Sequence, residues 1–334
     1  MKRFSIVAIA LLTGITGFVS CKKKDEIKPL AANELVTLPV IFHILHGGEP
    51  AGTGTNISAA YIKRCMDSLN AHFAGKTVQG NNTYIQFRLA GKDEDGNSLA
   101  EQGIHRVKYG TGYFDMGLTM ADDTFTKSLT WDPNRYINIF VCYYPYSPTS
   151  SPVAAYATLP WASSDHPIQG LDPTNASDYK KQVKSKMGLF MNSLFLLDSA
   201  FNSFSYAATS HEMGHYLGLS HVFNKSSCVL NGDYCADTHD YLRMYEPTTY
   251  ARSGCDGYAF TSINFMDYGP NYYWQFTPDQ ITRMREVVNY APFRAKLVNS
   301  QALETRRTTV PDAEIFVPQV SIPDETGMMP ERPR

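Results

Sequence analysis

After its first twenty residues the chain contains no apolar run approaching the ~18 residues that a membrane-spanning helix requires, so no transmembrane helix is expected there. It also lacks an excess of either charge: 30 Lys and Arg stand against 32 Asp and Glu, a net charge of −2. A nucleic-acid partner, which would want a basic surface, is therefore not expected. No Cys-x-x-Cys pair occurs, which argues against a zinc ribbon, and no internal repeat is visible. Charged residues make up only 19% of the chain and hydrophobic residues 43%. Such a composition builds a sizeable core and excludes a wholly disordered chain. At 334 residues there is room for one or two domains. Aromatic residues are plentiful, with 21 Tyr and 18 Phe, a composition that leans towards work outside the cytosol.

The N-terminus is the first informative segment. Lys2 and Arg3 precede an apolar stretch from Phe4 to Val19 that Thr13, Gly14, Thr16 and Gly17 dilute. It reads as a signal peptide over residues 1–20. Phe18-Val19-Ser20-Cys21 resembles a bacterial lipobox, so Cys21 would carry a lipid anchor, with 21–35 as a polar lipidated linker. The expected location is the bacterial cell envelope, lipid-anchored in the membrane on the periplasmic side or at the cell surface. Loss of Lys2 and Arg3 would leave a net charge of −4. Five cysteines follow Cys21, in a compartment that permits disulfides. Cys228, Cys235 and Cys255 lie close together in a loop-rich stretch, where a Cys228–Cys255 bridge is expected. The pairing of Cys65, Cys142 and Cys235 stays open, since an odd number leaves at least one thiol over.

Leu38 to Leu45 is short, apolar and β-branched, the pattern of a buried strand. Ser58 can cap a helix over 59–74, where Tyr61, Ile62, Cys65, Met66, Leu69 and Phe73 recur at helical spacing. Ile85, Phe87 and Leu89 alternate with polar residues as in a strand. Residues 137–141 predict a second buried strand, 154–158 a short edge strand within a long loop, and 188–197 a further strand. A helix is expected over 203–217, irregular chain over 224–262, and a helix opening at Thr277-Pro278 with Ile281, Met284, Val287, Val288 and Tyr290 on its apolar face. Proline and charge increase from about residue 300, which reads as a mobile tail over 299–334. The fold class is α+β: one domain over 36–298, with two subdomains on either side of the central helix.

That central helix carries the chemistry. His211-Glu212-Met213-Gly214-His215 places two imidazoles four residues apart, one turn up the same helical face, a spacing that lets both bind one Zn²⁺. Glu212 sits where it can reach a metal-bound water without being a ligand. Gly218 can adopt positive φ and turn the chain back, so that His221 approaches the same ion. Three neutral nitrogens leave a fourth position for water, as in catalytic rather than structural zinc sites.

The extended pattern resembles the metzincin clan, whose later Met-containing turn is matched by Asn264-Phe265-Met266-Asp267-Tyr268-Gly269. Gly232-Asp233, Asp237-Thr238, the Phe276-Thr277-Pro278-Asp279-Gln280 helix start and the Leu38 to His43 strand bring it closer to the pappalysin family, over roughly 36–298. The resemblance implies a metzincin-like catalytic domain: a mixed twisted sheet with two main helices in an upper subdomain, and an irregular lower subdomain with a C-terminal helix. It implies zinc endopeptidase activity on protein or peptide substrates. His211, His215 and His221 would be the zinc ligands, Glu212 the general base and then acid, and Met266 the floor beneath the metal. Tyr268 would stabilise the oxyanion. Calcium is a candidate second cation at Asp233, Asp237 and Thr238, residues that could equally cap loops as Asx turns. The chain departs from the family pattern at His239, where proline is usual. It has no Cys in 269–276 to complete a second disulfide, and Cys235 stands in an aliphatic position. The linker at 22–35 is short for an inhibitory prosegment.

An extended substrate would pair with the edge at Ala154 to Leu159. Tyr272, Tyr273 and Trp274 would make the pocket past the scissile bond uncharged and aromatic, favouring apolar or bulky side chains over Arg or Lys. The rivals are a non-enzymatic surface lipoprotein with structural zinc, and a thermolysin-like site with Glu246 as third ligand. His43 is expected to be a core histidine and His239 a residue of the cleft rim. His46, His72, His105 and His166 are assigned no role.

Overall fold

The computed structural model describes residues 29–110, 128–144, 154–174, 187–197, 202–244 and 248–303. The expected signal peptide, Cys21, Glu246 and residues 304–334 lie outside these.

Strand β1 (Val36–His46) is the spine of a six-stranded sheet. Leu38, Val40, Phe42 and Ile44 fill the main core on one face, while Ile41 and Leu45 enter smaller clusters on the other. Both faces are covered, which is why the strand reads as a continuous apolar run. One edge of β1 takes β2 (Ile85–Leu89) along its first half and β3 (Ile104–Lys108) along its second, both parallel. The other edge takes β4 (Ile137–Cys142). Three short strands follow in the chain: β5 (Ala155–Ala157), β6 (Ala162–Ser163) and β7 (Pro173–Thr174). Strand β8 (Leu189–Asn192) runs parallel to β4, and β5 closes the sheet antiparallel to β8, at the edge expected from the sequence.

Helix α1 (Ala59–Phe73) begins where Ser58 accepts the Tyr61 N–H at 3.1 Å. It lays Ile62, Leu69 and Phe73 on the main core, each fully buried and worth roughly 1.5–3 kcal/mol. Beside it on the same core lies α3 (Asn202–Tyr216), through Met213 and Tyr216. Between α3 and the last helix the described residues form short pairings: β9 (Phe223–Asn224) with β10 (Tyr241–Leu242), and β11 (Ala251–Ser253) with β12 (Ala259–Thr261). Helix α4 (Pro278–Tyr290) closes the domain. Its Thr277 hydroxyl and Gln280 amide make reciprocal capping bonds.

Three expectations are corrected. Residues 188–197 are not one strand: β8 stops at Asn192 and a short helix α2 (Ser193–Leu197) follows. The Asn192 Oδ1 accepts the N–H of Leu194 at 3.0 Å and that of Tyr144 at 3.2 Å, a side-chain cap that ends the ladder. Strand β3 was not expected at all. Its sequence has little apolar alternation, and it forms because β2 ends at Leu89 and leaves the second half of β1 open, from Phe42 opposite Ile104 to His46 opposite Lys108. The tail does not begin at 299. Ala302 is fully buried, and its carbonyl accepts the Gly91 N–H at 3.0 Å, so the packed chain extends to Leu303.

Candidate metal centre and catalytic site

Helix α3 ends as its sequence demands. Gly218 has φ +93°, the Leu219 N–H donates to the Gly214 carbonyl at 2.9 Å, and the Gly218 N–H donates to His215 at 2.9 Å. These two bonds define a Schellman turn. A Cβ at Gly218 would lie 2.7 Å from Val287 Cγ2, so the position excludes a side chain on steric as well as conformational grounds. Two guanidinium groups cap the last turn. Arg283 Nε donates to the Gly218 carbonyl at 2.7 Å and Arg294 Nε to the Tyr216 carbonyl at 3.0 Å, cations placed at the negative end of the helix dipole.

The turn delivers His221 to the face that carries His211 and His215. The three Nε2 atoms lie 3.1–3.2 Å from one another. His211 Nδ1 donates to the Phe265 carbonyl at 2.6 Å and His215 Nδ1 to the Leu219 carbonyl at 2.7 Å. With the protons on Nδ1, the Nε2 lone pairs of these two rings point at one another and at His221. His221 stacks on Phe223, with ring centroids 4.7 Å apart. Burial, the first cause in each case, pushes all three imidazoles down, His211 to about 3, so the rings are neutral at pH 7. The facing Nε2 lone pairs of His211 and His215 repel one another unless a cation, or a proton on His221 Nε2, joins them. Three ligands around a tetrahedral Zn²⁺ at 2.0–2.1 Å would be separated by roughly 3.3–3.4 Å, close to the spacing found. Among the described residues this trio is the one group of three or more His, Cys, Asp or Glu side chains placed to share a metal ion. The residues therefore fit zinc.

Glu212 is 7% exposed, and its Oε2 has no hydrogen-bond partner among the described residues. Burial pushes its carboxyl up to about 8. A divalent cation at the neighbouring histidines would favour the charged form. Met266, fully buried, lies under the same turn: a Cβ on Gly214 would sit 2.4 Å from its Sδ. Tyr268 is 39% exposed, its ring centroid 4.6 Å from that of His221 and 5.5 Å from that of His211.

Other candidates fall elsewhere. Asp233 accepts from the Cys235 N–H and the Thr238 hydroxyl, and Asp237 accepts the N–H of Asp279 at the start of α4. These carboxylates cap loops, and no metal-sized cluster among the described residues includes them. Cys228 and Cys255 are bonded, while Cys65, Cys142 and Cys235 are buried thiols that burial pushes up to about 12. His239 stacks on Tyr258 and Phe260. His43 is a core histidine, bonded to Asn138 at 2.9 Å.

Sequence reasoning missed several supports of the site. His72 is buried, with Nδ1 2.7 Å from the Ser210 hydroxyl and its ring 4.7 Å from that of Phe265, whose carbonyl orients His211. Asn264 and Gln280 exchange amide bonds of 2.9 and 3.2 Å, tying the Met-containing turn to α4. The Thr277 to Gln280 spacing of a capping box could have marked Gln280, but nothing local marks His72.

The family model described as pregnancy-associated plasma protein-A, Peptidase M43, matches residues 176–289, which contain all three histidines, Met266 and Tyr268. An extracellular metalloprotease of Trichophyton verrucosum is 24% identical over 267 residues, covering 78% of this chain and 79% of that protein. One from Arthroderma otae is 35% identical over 111 residues, 26% of this chain and 39% of its own length. Over residues 176–289 the chain is thus similar to the pappalysin family of metzincins. The family match and the metalloprotease relatives support a metalloendopeptidase. Its fold matches mature mirolysin of Tannerella forsythia bound to a cleaved peptide, with TM-score 0.57, 21% identity and coverage of 81% of this chain and 99% of that one. In this metzincin-like fold, as expected from the sequence, the mixed sheet and two main helices stand before the third histidine, and short pairings and α4 after it.

Proposed function

We propose that the chain is a zinc-dependent endopeptidase that cleaves proteins outside the cytoplasm, with Glu212 as the general base. The observation that carries this reading is the buried, unpartnered Glu212 Oε2 beside three converging imidazoles. His211, His215 and His221 would hold the ion, and bound zinc supplies Lewis acidity that polarises water and the scissile carbonyl. Glu212 takes the proton of the attacking water at Oε2 and passes it to the leaving amine. The Tyr268 phenol donates to the carbonyl oxygen as negative charge develops there. Substrate lies extended along β5, the last strand of the sheet, by main-chain hydrogen bonds.

Lipid attachment at Cys21 belongs to the same reading. Leu30, nine positions later, is already fastened to α4 through its N–H and Asn289 Oδ1, and Arg285 holds the carbonyls of Ala31 and Glu34. A lipid on Cys21 would thus keep the enzyme close to the membrane surface.

The test is incubation with denatured protein, with and without a chelator, followed by mass spectrometry of the new termini. Cleavage should be chelator-sensitive. Glu212→Ala should retain zinc and lose about 10²–10⁴-fold in rate. Undiminished cleavage by that variant would remove Glu212 from the mechanism.

A further inference from the structure

Behind Tyr268 lies a buried ion pair that the mechanism above does not use. Arg252, on β11, is 5% exposed, and Asp267, the residue before Tyr268, is 1% exposed. Arg252 Nε donates to Asp267 Oδ2 at 3.3 Å and lies 3.3 Å from the Tyr241 hydroxyl. Its Nη1 donates to the carbonyls of Thr249 and Ala251 at 2.6 and 3.2 Å. Its Nη2 donates to the carbonyls of Tyr268 and Pro270 at 3.1 and 2.7 Å. Asp267 Oδ1 accepts the Tyr268 N–H at 2.7 Å and the Tyr241 hydroxyl, while Oδ2 accepts the Ser262 hydroxyl. The two peptide groups that flank the Tyr268 Cα are therefore gripped from one side by a single pair, the N–H by Asp267 and the carbonyl by Arg252.

A buried ion pair is a weak source of stability, because apolar residues of the same volume often serve as well or better. What a planar five-donor fork offers, and a lysine ammonium does not, is simultaneous control of several acceptors in fixed directions. Here those acceptors tie β11, through the carbonyls of Thr249 and Ala251, to the carbonyls of Tyr268 and Pro270, and so to the backbone of one half-exposed tyrosine that faces two of the histidines.

We propose that Arg252 and Asp267 are a positioning pair for the Tyr268 phenol, fixing where its O–H meets the carbonyl oxygen in the transition state. The proposal rests on the oxyanion role given to Tyr268 above. The test is a double-mutant cycle in the zinc-loaded full chain: Tyr268→Phe, Arg252→Lys and both together, with kcat, KM, zinc content and melting temperature. Affinity for a phosphinic peptide, a mimic of the tetrahedral state, is the second readout. Removing an oxyanion donor costs roughly 10²–10³ in rate, so Tyr268→Phe should lower kcat by up to that factor. Arg252→Lys should lower kcat about tenfold with KM changed less than about twofold, the split expected when only transition-state contacts are lost. In the Tyr268→Phe background, Arg252→Lys should cost less than about twofold, because the group it positions is gone. Phosphinate affinity should follow kcat through the cycle.

Equal losses from Arg252→Lys with and without the phenol would overturn the proposal and leave the pair merely structural. Full activity in Tyr268→Phe would overturn the oxyanion reading itself, and the proposal with it, whatever Arg252→Lys does. If Arg252→Lys loses zinc or its melting transition, Tyr241→Phe takes its place. That variant removes a hydroxyl that contacts both members of the pair. Its smaller kcat loss should again vanish without the phenol, and persistence of the loss would overturn the proposal.

Discussion

Replacing Gly214 by Ala sets two effects of opposite sign against each other. In the interior of an exposed helix the change stabilises by about 0.8–1.0 kcal/mol, because glycine loses the most backbone freedom on folding. In α3 the new Cβ would lie 2.4 Å from Met266 Sδ, 3.3 Å from its Cε and 3.4 Å from Leu219 Cδ1. Non-bonded heavy atoms settle at about 3.5–4.0 Å, so the sulfur must retreat by more than ~1 Å. It has little room to do so. Met266 is fully buried, its N–H is held by Asn264 Oδ1 at 2.8 Å, and its carbonyl accepts from Val222 at 3.3 Å. Overpacking of this kind costs about 1–3 kcal/mol, which outweighs the helix gain. Because the sulfur cannot retreat freely, the cost falls in the upper part of that range, about 2–3 kcal/mol, and the net loss is roughly 1–2 kcal/mol. Because the turn beneath also carries the Phe265 carbonyl that orients His211, zinc affinity should fall as well. Urea denaturation of the zinc-loaded and chelated protein measures the first effect, and competition with a chromophoric chelator measures the second. A Gly214→Ala variant as stable as the parent or more so, with unchanged zinc affinity, would refute the close packing of Met266 against α3.

Three further outcomes are expected. Burial pushes His72 down to about 4 from 6.5. Below pH 6.5 the unfolded chain takes up a proton that the native imidazole refuses, so stability falls as pH drops from 6.5 towards 4, by up to about 3 kcal/mol at 1.36 kcal/mol per pKa unit. In urea titrations across that window, His72→Gln should show a shallower loss than the parent, and an identical slope would count against it. Chelation should lower the melting temperature and added zinc restore it, because three Nε2 atoms 3.1–3.2 Å apart are then left facing one another. A melting temperature indifferent to chelator would speak against a metal joining them. In the loop expected from the sequence to line the pocket past the scissile bond, Tyr272 stacks between Tyr250 and Trp274 at 4.3 and 4.5 Å, and Asp279 is occupied with the Ala236 N–H. A peptide-library profile should therefore favour apolar or bulky residues after the cut, and one dominated by Arg would contradict the pocket assignment.

What the chain determines by itself is whatever closes within a turn or two. The four-residue spacing of His211 and His215, the glycine that ends their helix, the Ser58 cap and the reciprocal bonds of Thr277 and Gln280 are local events, written in local spacing. Alternation and apolar runs likewise announced β1, β2 and β4, whose faces must be buried wherever they are placed. The tertiary structure alone decided what meets across long separations. Phe265 reaches His211 from 54 residues away, His72 reaches Ser210 from 138, and β3 exists only because β1 offers it an open edge. Arg252 has no periodic or motif signature, since its partners are carbonyls that a particular loop path brings together. Periodicity records which face a residue must hide. It carries no record of the distant backbone against which that face will come to rest.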